Sequence, residues 1–401
     1  MMSTKTPQWQ KNMRALWFGN FATGAGASMS LPFLPLFISE MGNFPKWQLT
    51  LYSGAAFAIT FLAQAIVSPM WGNLADRTGR KPMLLRASIG MTISATLTGF
   101  SPNVWVLIAI RGIQGLFSGY VNNAYALVAS EVPMEKSGKT MGSMTTGAVG
   151  GQLIGPILGG YLAGMFGYQI PFFVFGFMMF CAALITMFFV KEDFKPIPHK
   201  NKNSFKDAFI NIDHRRVVFA MFASSLLIQS ATNSINPIIS LFVKQLMDNH
   251  GNVALVSGVI AALPGVATLF AAPRLGALGD RVGPQKVLLY GLAFSGIVFF
   301  PMFFVHSVWL LGILRFLIGI ADAALLPVVQ TVLTLESPAN VTSRIFSYYQ
   351  SSQAFGSVVG PMLGSLVAGI MDYRHIFLMT TILVIVNFVM VRSAYKKDNV
   401  L

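Results

Sequence analysis

Of the 14 acidic residues in this sequence, only Asp322 falls in the middle of a long apolar stretch, in the run Ile320-Ala-Asp-Ala-Ala. The other 13 lie at the ends of such stretches, in the connections between them, or near the termini. An ionised carboxylate in apolar surroundings costs several kcal/mol unless it is paired or reaches water. A carboxyl taken out of water also holds its proton more tightly. An acid whose surroundings alternate between wet and dry can therefore carry protons. The competing chemistry is a structural ion pair. Its partner would be Arg315, seven residues earlier and so about two turns away on the same helix face, roughly 10 Å off.

Other chemistries find less support. Gly138-Lys139-Thr140 approaches a phosphate-binding loop, but the leading glycine would have to stand at Pro133. The five histidines, His199, His214, His250, His306 and His375, are scattered, so neither a catalytic cluster nor a metal site is expected. Cys181 is the only cysteine, so no intramolecular disulfide can form. No enzyme activity and no cofactor are expected.

The elements that must position Asp322 are membrane helices. Hydrophobic residues make up 54% of the 401-residue chain and charged residues 10%, against roughly 25% charged in soluble domains. Twelve apolar segments stand near 13–39, 47–71, 83–101, 103–130, 140–165, 168–190, 217–243, 252–275, 287–305, 307–333, 343–370 and 373–392. Each can supply the ~20 residues that a helix needs to cross a bilayer. The ten-residue alternation of barrel strands is absent. The expected fold class is an all-α polytopic membrane protein with twelve transmembrane helices.

The net charge of +14 raises a nucleic-acid reading, which the placement of the charges answers. With the N-terminus inside, 23 of the 28 basic residues fall on inner segments; only Lys46, Lys244 and Arg374 fall outside, and Arg111 and Arg315 fall within spans. That asymmetry is the positive-inside rule and puts both termini in the cytoplasm. Nucleic acid is not an expected partner; the lipid bilayer is. The first apolar segment is too long for a cleavable signal. A linker rich in Lys and Asp, 191–216, carries Pro196 and Pro198 and divides a six-span half, 1–190, from a second, 217–401.

The halves repeat each other. Gly72-Asn-Leu-Ala-Asp76-Arg77-Thr-Gly79-Arg80-Lys81 recurs 204 positions later as Gly276-Ala-Leu-Gly-Asp280-Arg281-Val-Gly283-Pro-Gln-Lys286. Arg111 and Gly115 match Arg315 and Gly319 at the same spacing. Gly155-Pro156 matches Gly360-Pro361, Glu131 matches Glu336, and Pro32 matches Pro237, all at 205. The counterpart of Asp322 is Ser118, so the mid-span acid belongs to one half only. Duplicated membrane units of this kind are characteristic of transporters.

Three further patterns follow from spacing. Gly147, Gly151, Gly155 and Gly159 in span 5 share one helix flank beside Pro156, and Ser352, Gly356, Gly360 and Gly364 repeat it in span 11; such flanks let another backbone approach closely. Arg111, Gln114, Ser118, Asn122 and Tyr125 form one polar stripe on span 4, and Ser225, Gln229, Asn233, Asn236 and Ser240 form another on span 7, with a weaker beginning at Asn20 and Thr23 on span 1. As sets, these stripes outline a water-accessible cavity. At the inner face, the loop 72–81 needs glycine for a sharp turn. Asp76 is placed to cap the first N–H groups of span 3, and Arg77, Arg80 and Lys81 to meet Glu131. Gly72, Asp76, Arg77, Arg80 and Glu131, with Asp280, Arg281 and Glu336 in the second half, are thus the candidates for a conformational latch.

On these motifs the chain resembles the major facilitator superfamily, and within it the twelve-span drug:proton antiporters. Gly72–Lys81 resembles the motif between spans 2 and 3, Arg111–Gly115 the span-4 motif, Gly147–Gly160 the span-5 motif associated with antiport, and Leu31-Pro32-Phe-Leu-Pro35 the span-1 signature of twelve-span drug pumps. The resemblance implies two pseudo-symmetric six-helix halves in a bacterial cytoplasmic membrane, with spans 1, 4, 7 and 10 around a central path. It implies an outward-facing state stabilised by the span 2–3 motif, a role for Arg111 in proton transfer, and a span-5 flank that prevents leak. It further implies proton-driven efflux of hydrophobic drugs such as fluoroquinolones or cationic dyes, and the fold requires no more than a monomer. The 34 Phe and 22 Met suit an adaptable pocket. The alternative is proton-coupled uptake of a sugar or other small nutrient.

Overall fold

Prolines and glycines decide where the long apolar stretches bend, and they do so unequally. The computed structural model describes residues 7–194, 214–337 and 342–398. The side chains of Asp280 and of residues 342–344 fall outside that description, as does most of the linker, 195–213. In span 1 the helix α1 (Gln8–Ser30) passes through a 3-10 turn, Leu31–Phe33, that contains Pro32, into α2 (Leu34–Glu40). In span 7, α9 (Arg215–Ile235) gives way at Pro237 to α10 (Ile239–Leu246). The ring of proline removes a donor and crowds the preceding turn, so the matched prolines interrupt matched spans. Pro69, Pro156, Pro264, Pro273, Pro301, Pro327 and Pro361 lie inside helices that continue.

The remaining spans are α3 (Lys46–Thr78), α4 (Arg80–Gly99), the pair α5 (Val104–Leu116) and α6 (Tyr120–Glu131), α7 (Met134–Phe166), α8 (Ile170–Phe189), α11 (Val253–Val282), α12 (Pro284–Met302), α13 (Val308–Glu336), α14 (Thr342–Ile370) and α15 (His375–Lys397). Eleven spans meet the length and hydropathy of a membrane crossing. The twelfth is α4, whose hydropathy is lowered by Arg86 and a run of hydroxyls. Ser88, Thr92, Ser94 and Thr98 each donate to the carbonyl four residues back, so these groups remain satisfied without water. Every regular element among the described residues is a helix, as expected of an all-α twelve-span chain.

By their contacts the helices gather into two units. The first holds the described residues through Gly42, those from Leu62 through Phe194, and Ala254–Ala262; the second holds Asn43–Phe61, the described residues from His214 through Val253, and those from Leu263 onward. Within the first unit the most extensive pairing is α1 on α7; within the second it is α9 on α14. Both depend on glycine. A side chain at Gly147, Gly151, Gly155 or Gly159 would strike Trp17, Phe21 and Ala25, Ser28, or Met29 of α1. One at Gly356, Gly360 or Gly364 would strike Leu226, Ser230 or Ser234 of α9. The flanks foreseen in spans 5 and 11 therefore face spans 1 and 7. The N-terminal part of α3 packs within the second unit, where Gly54 abuts Ser365 and Gly369 abuts Trp47 and Thr50. In the first unit, Gly258 of α11 abuts Pro156, and Gly160 abuts Ala254.

Candidate functional site

Asp322 stands midway along α13, a helix of 29 residues that runs unbroken through Pro327. Ala321, Ala323 and Ala324 around it are buried, while Asp322 itself is half-buried. Arg315 on the same helix is buried, and among the described residues its Nε finds no hydrogen-bond partner. Among the described residues, no ion pair within 4.0 Å involves Asp322. The turn before it is anchored: Gly319 lies against Pro264 of α11, and its carbonyl accepts from Thr268 Oγ1 at 2.8 Å. The acid thus sits on a fixed helix without a closed salt link.

Span 4 differs. The helix stops at Leu116 and resumes at Tyr120, with Gly119 at φ +108°, a value that L side chains avoid. Neighbouring spans hold the ends that the break exposes. The indole Nε1 of Trp71 on α3 donates to the Leu116 carbonyl at 2.8 Å, and Arg86 Nη2 on α4 donates to the Ser118 carbonyl at 2.9 Å. A single polar stripe along span 4 is therefore not what forms. Arg111 and Gln114 on α5 are buried and bonded to each other at 2.5 Å. Ser118 lies in the break, Asn122 is exposed, and Tyr125 on α6 donates to Thr145 of α7 at 3.1 Å. Step counting assumed one continuous helix, and the residues missing from it, Trp71 and Arg86, come from other spans.

In the second unit two of the span-7 polar residues, Asn233 and Asn236, link up. Ser225 bonds the Phe222 carbonyl of its own helix, and the Ser240 hydroxyl has no partner among the described residues. Asn236 donates to Asn233 at 3.0 Å, and Asn233 donates to Ser357 of α14 at 3.2 Å. Gln229 is half-buried on the same helix. On α1, Asn20 is fully buried, and neither of its amide atoms has a partner among the described residues.

The inner face departs from expectation in its details. Residues 72–78 belong to α3, and Gly72 has open space around it rather than a turn to make. The turn is the single residue Gly79, at φ +97°, matched by Gly283 at φ +93°. Asp76 pairs with the Arg80 side chain at 2.7 Å. It does not cap α4, because Glu192, just beyond span 6, takes the N–H groups of Arg80 and Lys81 at 2.8 and 2.7 Å. Glu131 does not meet the basic residues at 77–81. It accepts from Asn12 Nδ2 at 2.7 Å, and Asn12 also bonds both the N–H and the carbonyl of Lys191. In the second unit Glu336 meets His214 Nδ1 at 2.7 Å. Arg281 is exposed, and the Asp280 side chain lies outside the described residues. Asn12 and Glu192 carried no local signal, since each acts on chain more than 100 positions away.

Comparison with known proteins agrees with the architecture. The family model for the Major Facilitator Superfamily matches residues 16–251 and 221–400. The "Multidrug resistance protein MdtG" of Klebsiella pneumoniae (strain 342) is 45% identical over 388 residues, covering 96% of this chain and 94% of its own length. That of Proteus mirabilis (strain HI4320) is 43% identical, covering 97% and 96%. Among solved structures, the nucleoside transporter NupG aligns with a TM-score of 0.80 at 13% identity over 96% of this chain and all of its own. A bacterial homologue of the lysosomal transporter Spinster aligns at 0.75 and 14% identity, covering 98% and 99%. At such identities the solved structures speak for the fold alone. In sequence and in fold, this chain belongs to the major facilitator superfamily, on the branch that holds the MdtG proteins.

Proposed function

We propose that this chain exports hydrophobic, drug-like molecules across a bacterial cytoplasmic membrane in exchange for protons, with Asp322 as the proton carrier. The observation that carries the reading is the state of Asp322: half-buried in mid-span, on an anchored helix, and in no ion pair within 4.0 Å among the described residues. Such a carboxyl is free to exchange a proton with water and to answer a change in its surroundings. Arg315 on the same face makes the carboxylate tolerable in one state without locking it. The multidrug resistance named for the MdtG relatives supports drugs as substrates.

In this reading the chain acts as a monomer, with both termini in the cytoplasm. Two six-span halves, 1–190 and 217–401, joined by the linker 191–216, alternate about the substrate. Asn20, Gln114, Ser118, Asn122, Tyr125, Gln229, Asn233 and Asn236 supply polar groups along the path, and Arg111 assists proton transfer. The inner latch draws on Asp76, Arg77, Arg80, Asp280 and Arg281, with Glu131 and Glu336 acting through Asn12 and His214. The flank Gly147, Gly151, Gly155, Pro156 and Gly159 keeps spans 5 and 1 sealed. The proton gradient is the energy source, and no cofactor takes part.

The test is dye efflux from cells, with and without a protonophore, for the wild type and Asp322→Asn. Protonophore-sensitive efflux is expected in the wild type, and loss of that efflux with dye binding retained in the variant. Unchanged pH dependence in Asp322→Asn removes the assignment. In inside-out vesicles, a proton gradient should drive drug accumulation; depletion would instead indicate uptake.

A further inference from the structure

Beside the break in span 4 lies a polar cavity of about 120 Å³ within the first unit, lined by Gln64, Trp71, Arg80, Arg86, Asn122 and Asn123 among others. Arg86 lies in the second turn of α4, at the inner end of span 3, where an unpaired, partly buried charge is costly. Among the described residues it forms no ion pair, and its Nε and Nη1 have no hydrogen-bond partner. Its Nη2 holds the Ser118 carbonyl, and its guanidinium lies 3.9 Å above the Trp71 ring. Arg80 adds a second guanidinium, shared with Asp76. The 12-residue α6 begins at the cavity wall without a side-chain cap, so the unpaired N–H groups and positive dipole end of its first turn face the same region.

The second half gives an internal control. At a spacing of 204, the positions of Gln64, Trp71, Arg80, Arg86, Asn122 and Asn123 are occupied by Thr268, Leu275, Pro284, Tyr290, Leu326 and Pro327. The repeat keeps the helices and drops both guanidinium groups and all three amides. The polar lining is therefore a property of the first half, added to the shared scaffold.

We infer that this cavity is a binding site for a phosphate-class anion, held by Arg86 and Arg80 at the N-terminus of α6. Two guanidinium groups, a helix N-terminus and neutral amides are a donor set suited to phosphate oxygens. A lipid headgroup and a free anion both present that chemistry.

The experiment places the full chain in phosphatidylcholine nanodiscs and titrates inorganic phosphate. A second arm uses nanodiscs containing phosphatidylglycerol. Retained ligand is counted by native mass spectrometry, and melting is followed in parallel. One anion per chain, with a raised melting temperature, is expected in at least one arm. Retention only with phosphatidylglycerol assigns the site to a lipid headgroup, and retention of inorganic phosphate assigns it to a free anion. Arg86→Gln should weaken binding about tenfold or more, the loss of a charge-assisted hydrogen bond. Because Arg86 also holds the break, Gly72→Leu gives a second arm: Gly72 lines the cavity and a Cβ there would meet nothing within 4 Å, so the larger side chain is expected to narrow the cavity while leaving Arg86 in place. No retained anion in either arm, or equal affinity in the wild type and both variants, overturns the inference.

Discussion

Spans 4 and 10 occupy the same place in the two repeats and solve different problems. Span 10 is one helix, α13, and carries a carboxyl at its centre. Span 4 is cut in two at the residue that corresponds to that carboxyl, Ser118, and the charge beside the cut is a guanidinium from span 3. Proline does not explain the difference, since Pro327 lies within the intact helix. Gly119 allows the break, and Trp71 and Arg86 satisfy the carbonyls that it exposes; at the matching positions the second half has Ala323, Leu275 and Tyr290. A duplicated unit can thus keep its helix order while one copy takes a titratable group and the other a fixed cation. The glycine flanks teach the opposite lesson. Spans 5 and 11 pack on spans 1 and 7 through matched glycines, so backbone contact is shared where charge is not.

The comparison can be broken in several places. Gly155→Leu and Gly360→Leu should each cost at least about 3 kcal/mol from overpacking, because the new side chains meet backbone of α1 and α9. Melting in detergent and dye efflux should both fall, to a similar degree in the two variants; if either substitution is tolerated, the close approach is not shared. Gly119→Val should cost about 2 kcal/mol through its positive φ, whereas Ala323→Gly should cost about 1 kcal/mol through helix propensity alone. Equal melting losses for Gly119→Val and Ala323→Gly would mean that span 4 is not held open by backbone conformation. Trp71→Phe should cost no more, about 1 kcal/mol for the lost bond to the Leu116 carbonyl. A melting temperature identical to wild type would show that the break needs no bracket from span 2.

What could be read from the chain follows from the range of the interactions involved. Span number and the repeat are carried by composition and by residues at fixed spacing, so they were legible. The glycine flanks were legible as flanks, but their partners were not, because no spacing in span 5 names span 1. Gly79, rather than Gly72, makes the inner turn: residues 72–78 have nothing to stop them continuing α3, and only the backbone angles reveal the position that requires glycine. The cap on α4 was out of reach, since Glu192 lies 112 positions from Arg80. For the same reason Glu131 was assigned to nearby cations, although its partner is Asn12, 119 positions away.

Proton exchange at Asp322 is open to one direct measurement. Purified protein in lightly buffered detergent solution is mixed with a transported dye, and released protons are followed with a pH indicator. If drug and proton compete through this carboxyl, the wild type releases protons on dye binding, and Asp322→Asn binds dye with no release. Equal proton release from both proteins would contradict the assignment of Asp322 as the carrier.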